Sequence, residues 1–344
     1  MRYFPIIEEL LRNDPGKQEH YEVLMRGNLS EATQKIYNVE IRQYRKFCNE
    51  KGLILEELRE MDILMYIAHL LDKKVSVQKL SKVLPALQAV DSVLNSDSLK
   101  ITERVKSAFG AAKRERAKFR LPTKKAQLFE YKDLEKAYTK HILPHIENGV
   151  MKSSVNVKFA RAILRGVIIY HTYCRFSDFR HIKDSHCKLS DNSVEIVFPR
   201  SKNDQLFKGS HCVITKRDNN VICPVQFVKL FFKTFGLSDE NPTGKFLNFR
   251  YEKCKTGFRV LAGKGLCLSN ATRDMREMLN SIGLNGSRYT EKSFKVSGVT
   301  ASTAAGMTLD EITFHGRWRC SETPRQYRTM SIEYRKGIAQ KIPC

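Results

Sequence analysis

Apolar side chains recur every three or four residues along most of this chain, the spacing of amphipathic helices. After Asn28-Leu29-Ser30, which offers a cap, Tyr37, Ile41, Tyr44, Phe47 and Cys48 fall on one helix face, and Gly52 ends the run. The same period predicts helices over Met61–Leu71, Ser76–Leu94 and Thr102–Lys118, with Pro85 expected to kink or split the third. No strand pattern interrupts them, so residues 26–120 read as an all-α domain. A polar lead-in, 1–25, precedes it, with a weak helix expected near Pro5–Arg12. Leu121-Pro122-Thr123 opens a linker over 121–130.

The second domain is expected over 131–344. Helices are predicted at Tyr131–His141 and Val155–Tyr173; the latter carries Ala160, Ile163, Leu164, Val167 and Ile168 and reads as a core helix. The period then changes to two. Val194, Ile196 and Phe198 alternate within a strand over Ser193–Pro199, a turn follows at Arg200–Asp204, and a return strand at His211–Thr215. A helix runs from Cys223-Pro224 to Phe235, and residues 236–268 are expected to be irregular and basic. Ser269 is expected to cap a helix to Ile282 that Gly283 ends, and Ser331–Ile342 closes the chain. The fold class is mainly α with a small antiparallel β-sheet (α+β).

Composition narrows the partner. Among 344 residues, 60 are Lys or Arg against 37 Asp or Glu, a formal net charge of +23. A folded chain with that surplus predicts a polyanionic partner, most simply nucleic acid; a ribosomal or membrane-surface protein is the alternative. No apolar run approaches the about 18 residues of a membrane span, and the N-terminus has no secretory pattern. The nine cysteines form no CxxC pair, so reduced thiols in an intracellular protein are expected. His181, His186 and Cys187, with His211 and Cys212 further on, match no zinc spacing. No GxxxxGK[ST] loop occurs.

One stretch concentrates candidate chemistry: KSFKVSGVTASTAAGMTLDEITFHGRWRCSETPRQY, from Lys292 to Tyr327. Lys292 and Lys295, at i and i+3, would share a helix face and present two positive charges to an anion such as phosphate. Trp318, the one tryptophan, precedes Tyr327 by nine positions. Elsewhere, Lys113, Arg114, Arg116, Lys118 and Arg120, followed by Lys124 and Lys125, are candidate DNA-backbone contacts or a solvated helix end.

The stretch resembles the C-terminal catalytic core of the tyrosine recombinases, the phage-integrase family. There a helix carries His-x-x-Arg, a later histidine or tryptophan supplies a hydrogen-bond donor, and the nucleophilic tyrosine follows nine positions on. KSFKVSGVT sits where the family often reads HSFRxGxAT, so both the histidine and the second arginine are lysines here, Lys292 and Lys295. The run Cys174-Arg175-Phe176-Ser177-Asp178-Phe179 is similar to the segment of the first catalytic arginine, placing Arg175 on it and Asp178 as a brace. The hairpin turn places Lys202 on the catalytic lysine, with Lys208 its rival, and LSEATQKIYNVEIRQYRKFCNEKG looks like the first helix of a core-binding, SAM-like domain.

The resemblance implies a site-specific recombinase or integrase of a mobile element, virus or phage. It would cleave double-stranded DNA through a 3′-phosphotyrosyl intermediate, with no metal or nucleotide cofactor. Tyr327 would be the nucleophile, with Tyr334 and Tyr289 as competitors. Arg175, Lys292, Lys295 and Trp318 would surround the phosphate, and Lys202 would protonate the leaving oxygen. A homo-oligomer on DNA, dimer or tetramer, is implied, in the nucleus of a eukaryote or otherwise the cytoplasm, with no membrane partner. A catalytically impaired DNA-binding protein on the same fold and a type IB topoisomerase-like enzyme are the alternatives.

Overall fold

The computed structural model describes residues 30–53, 59–94, 101–119, 127–201, 209–218, 220–254, 257–325 and 327. The expected helix near Pro5–Arg12 and the closing segment Ser331–Ile342 lie outside the described residues, as do Lys202, Lys208, Arg120, Lys124, Lys125 and Tyr334. Chain contacts divide the protein into two compact units, Met1–Thr123 and Lys124–Cys344.

The first unit is helical throughout its described residues. Helix α1 (Glu31–Lys51) starts where the Ser30 hydroxyl accepts the Thr33 amide at 3.3 Å, and stops where Gly52 turns left-handed at φ 66°. Helices α2 (Glu60–Asp72), α3 (Val77–Leu94) and α4 (Glu103–Ala117) follow. Their apolar stripes make one core: Ile41, Tyr44 and Phe47 meet Ile63, Tyr66, Leu80, Val83, Leu87, Val105 and Phe109. Burying each large side chain contributes about 1.5–3 kcal/mol. Pro85 does not split α3, contrary to the expectation from its ring: the helix runs unbroken through it. Leu80, Val83, Ala86 and Leu87 are all fully buried around the proline, so packing holds the turn whose hydrogen bond it lacks.

In the second unit, α5 (Tyr131–His141) precedes a small ribbon of β1 (Ile146–Glu147) and β2 (Val150–Met151). Helix α6 (Val157–Thr172) then runs through the centre, with buried residues on every side. After a short turn of helix, α7 (Phe176–Phe179), strands β3 (Cys187–Leu189), β4 (Ser193–Phe198) and β5 (Ser210–Thr215) form an antiparallel sheet in that order. Val194 faces Ile214 and Ile196 faces Cys212 across it, and the buried members of β4 alternate as its sequence does. Helix α8 (Pro224–Phe235) adds six buried phenylalanine and valine side chains, among them Phe227, Val228 and Phe231.

Residues 236–268 are not irregular. They contain a hairpin of β6 (Phe249–Cys254) and β7 (Gly257–Gly265), whose register shifts between Phe249 and Arg250. Phe249 alone of its first strand is fully buried, because the other faces carry Arg250, Glu252 and Lys253. Helix α9 (Leu268–Ser281) begins one residue before Ser269, with Cys267 extended at the cap position, so the serine is not the cap. The Ser269 hydroxyl lies 3.2 Å from the Cys267 sulfur instead. Helices α10 (Glu291–Ala304), α11 (Leu309–His315) and α12 (Glu322–Arg325) follow.

One buried ion pair and two glycines set α10 against α6, and a second buried pair ties α6 to α9. Arg165 reaches from α6 to Glu291, the first residue of α10, at 2.8 Å, and to the carbonyl of Ala271 on α9 at 2.7 Å. One turn earlier Arg161 pairs with Asp274 at 2.6 Å and donates to the Phe249 carbonyl at 2.5 Å. Every charge is met by a partner, as burial requires. A Cβ on Gly298 would lie 2.1 Å from the Tyr170 carbonyl oxygen, and one on Gly166 2.8 Å from the Phe294 ring. Only glycine lets the two helices approach this closely.

Candidate active site

The close approach of α6 and α10 brings two segments together. Helix α6 ends at Tyr173, left-handed at φ 50°, and the chain turns to Arg175. The Arg175 amide donates to Asp178 Oδ2 at 2.9 Å, which fixes the start of α7. Asp178 is buried and braces the arginine's backbone, leaving the half-buried side chain to face the site.

Helix α10 presents Lys292 and Lys295 one turn apart. Lys292 is exposed; Lys295 is only 3% exposed. Helix α11 begins with a capping box in which Thr308 and Glu311 bond each other's backbone amides at 2.6 and 3.2 Å. It ends by folding back: Arg317 is left-handed at φ 56° and the Trp318 amide donates to the Thr313 carbonyl at 3.0 Å. The indole then lies flat against Gly316, where a Cβ would sit 2.0 Å from a ring carbon. That contact explains why glycine stands two residues before the tryptophan.

Trp318 is enclosed between two tyrosines. Its ring stacks on Tyr173 (centroids 6.1 Å apart, 16° between planes) and on Tyr327 (5.8 Å, 25°). Val299 and Ile312 close the apolar cluster. Its Nε1–H is buried and has no hydrogen-bond partner among the described residues. A buried donor left unsatisfied costs about 1–3 kcal/mol, so this one calls for an acceptor. Tyr327 is positioned by its amide, which donates to the Pro324 carbonyl at 2.9 Å, and by the Thr300 hydroxyl on its own carbonyl at 3.5 Å.

The lysines cover the nucleophile candidate. Lys295 Nζ lies 4.7 Å from the Tyr327 ring centroid and 4.5 Å from that of Trp318, and Lys292 Nζ lies 5.3 Å from the Tyr327 ring. Burial pushes the Lys295 ammonium down to a pKa of about 7, helped by the Arg175 guanidinium and, less, by Arg317; Cys174 and Asp178 oppose. The faces of Trp318 and Tyr327 favour the charged form, an attraction weaker than the burial. Cys174 is pushed up to about 12 by burial, so its thiol is neutral and inert. His315 is committed elsewhere, with its Nε2 2.6 Å from the His171 carbonyl. His171 is lowered to about 4, chiefly by burial, and is neutral.

Arg175, Lys292, Lys295, Trp318 and Tyr327 thus converge, whereas Lys202 lies outside the described residues. Two neighbours escaped sequence reasoning. Tyr173 floors the indole, and Arg317 lays its guanidinium 4.1 Å over the Phe198 ring at the end of β4. The signal for Arg317 was its place between Gly316 and Trp318. Tyr289, a competing tyrosine, is buried against the unit's main core and not against the lysines.

In the first unit, Arg114 is exposed and Lys113 half-buried. Lys118 pairs with Glu115 at 2.6 Å. Arg116 is engaged within its own unit, donating to the carbonyls of Val75 at 3.0 Å and Lys74 at 2.9 Å. Among the described residues, no group of three or more His, Cys, Asp or Glu side chains could hold a metal ion. No helix among them is long and apolar enough to cross a membrane.

Residues 17–94 match the family model for the phage integrase N-terminal SAM-like domain. No curated protein matches the sequence. In structure the chain is similar to the Tn1549 transposon integrase in complex with circular intermediate DNA, at 11% identity, covering 94% of this chain and 98% of that one with a TM-score of 0.56. It is similar to a lambda integrase dimer bound to a COC′ core site at 13% identity, 90% and 93% coverage and a TM-score of 0.54. The XerH site-specific recombinase in its post-cleavage complex with a palindromic difH substrate matches at 14% identity, 87% and 76% coverage and a TM-score of 0.52. At these identities the likeness is one of fold.

Proposed function

On a chain with a phage-integrase SAM-like domain and the tyrosine-recombinase fold, we propose a site-specific DNA recombinase or integrase that cuts and rejoins strands through a 3′-phosphotyrosyl link. The observation that carries this reading is the position of Tyr327, stacked on Trp318 with Lys292 and Lys295 over its ring. Tyr327 attacks the scissile phosphate. Arg175, Lys292 and Trp318 Nε1–H hold its non-bridging oxygens and stabilise the charge that grows in the transition state. Lys295 adds to that stabilisation when protonated. Lys202 protonates the departing 5′-oxygen. The tyrosyl ester stores the bond energy that a second strand's hydroxyl uses for religation. Residues of this chain supply each role, without a nucleotide or metal cofactor.

Double-stranded DNA is the partner, consistent with the net charge of +23 and with the DNA in the complexes of the similar integrases. A dimer or tetramer on DNA brings two sites together; a type IB topoisomerase-like enzyme would need one. A silent DNA-binding protein is the second reading, favoured by one observation. Lys295 replaces a planar two-donor group with a single amine, and losing a preorganised donor costs about 10²–10³ in rate.

The test mixes nicked duplexes of many sequences with the wild type and Tyr327→Phe, followed by denaturing gels. A DNA-linked band that vanishes in the variant is expected. Binding without a band on any duplex supports the silent binder, and a band surviving Tyr327→Phe moves the nucleophile elsewhere.

A further inference from the structure

A nucleophilic phenol must lose its proton, and the site offers few groups that can take it. Arg175 and Arg317 cannot be deprotonated, and the Trp318 indole is a donor only. Asp178 is occupied by the Arg175 amide. His315 points its Nε2 at the His171 carbonyl, and the His171 ring sits against Tyr131 and Tyr170, away from Tyr327. Lys292 is exposed and farther from the ring than Lys295. Lys295 is enclosed, and among the described residues it has no hydrogen bond or ion pair. Its amine faces the two rings at 4.5 and 4.7 Å.

We propose that Lys295 is the proton acceptor for Tyr327, an inference that rests on Tyr327 being the nucleophile. The four-methylene stem lets the amine swing from the ring face to the hydroxyl edge, and such contacts tighten when substrate is bound. Electrostatics agree with the geometry. Burial, Arg175 from the turn after α6 and Arg317 from the turn after α11 all favour the neutral amine, against Cys174 and Asp178, and bring its pKa to about 7. A base poised near the working pH is the most effective kind. An arginine at this position could not serve.

The step balances. The Tyr327 O–H bond breaks and an N–H bond forms on Lys295. The tyrosyl oxygen bonds to phosphorus as the bond from phosphorus to the 5′-oxygen breaks, and that oxygen takes a proton from Lys202. The new ammonium then lies beside the phosphoryl oxygens as their charge grows. Religation runs each transfer in reverse.

The experiment measures single-turnover covalent complex formation on a nicked duplex from about pH 6 to 9.5. Wild type should rise with pH along a limb of unit slope. Lys295→Arg should still bind DNA, lose the limb, and fall about 10²–10⁴-fold, the usual contribution of a general base. Lys295→Ala should regain activity with added small primary amines, more with the more basic ones, which also shows that the variant is folded. An unchanged limb in Lys295→Arg, or no rescue of Lys295→Ala by any amine, overturns the proposal and leaves Lys295 a charge alone. A wild type that forms no Tyr327-dependent band overturns the recombinase reading, and this inference with it.

Discussion

Arg165 and Glu291 meet at 2.8 Å with both side chains buried, and the pair ties the middle of α6 to the first residue of α10. It is the anchor from which Lys292 and Lys295 are aimed. Glu291→Ala leaves a buried guanidinium uncompensated and should destabilise the protein by about 3–5 kcal/mol. Joint replacement, Arg165→Met with Glu291→Leu, removes both charges and should cost much less. Urea denaturation of the three proteins measures the difference.

Trp318 and Gly316 give a second test. Gly316→Ala places a methyl where the indole lies, so the ring must move. As the one tryptophan in the chain, it reports directly through its fluorescence spectrum, which should shift to the red as the ring gains solvent. Trp318→Phe keeps an aromatic plate between Tyr173 and Tyr327 and removes only the N–H. It should leave the melting temperature within a few degrees and lower covalent complex formation about 10²–10³-fold.

Lys295 should leave a signature in stability. Its pKa is about 7 in the folded protein against 10.5 for an ordinary lysine. Between those values the unfolded chain binds the proton and the folded one does not, so stability rises as pH increases through this window. Below about pH 7 the full cost of burying the ammonium is present. Lys295→Met should therefore be more stable than wild type near pH 7, and the advantage should shrink towards pH 10. Denaturation midpoints at pH 7, 8.5 and 10 check the sign.

The basic residues of α4 should separate by salt. Arg114 is exposed and free to meet a phosphate, so Arg114→Ala should reduce the slope of log affinity against log salt by about one. Arg116 holds the carbonyls of Lys74 and Val75 in its own unit. Arg116→Ala should act on stability first, seen as a lower thermal midpoint without DNA.

Much of this architecture was legible because helical periodicity is a local signal. The apolar face of α1, the all-buried α6 and the alternation of β4 each repeat a period that packing against one core demands. The β6–β7 hairpin was missed for a physical reason. Phe249 and Tyr251 alternate with Arg250 and Glu252, but only the first is fully buried, so the alternation reads as a mixed basic loop. Pro85 does not split α3 because propensity describes an isolated helix, whereas α3 is held by Leu80, Val83, Ala86 and Leu87. In the site, spacing paired Lys292 with Lys295, and the resemblance to the tyrosine recombinases pointed to them together with Arg175, Trp318 and Tyr327. They did not reveal the burial of Lys295 beside exposed Lys292, which depends on what α6 and the turn after α11 bring to that face. Nor could they show that Arg116 spends its donors on its own backbone.

Gly298 carries no chemistry, yet the backbone oxygen of Tyr170 occupies the space a side chain would need. Any other residue there levers α10 outward and carries both lysines away from Tyr327. If Tyr327 is the nucleophile proposed above, a genetic screen that scores only lost DNA cleavage would therefore recover Gly298 alongside Tyr327 and rank the two as equals. Dose would separate them: excess protein cannot restore a missing hydroxyl, whereas a population of displaced helices retains a fraction in register that overexpression can raise to a detectable level.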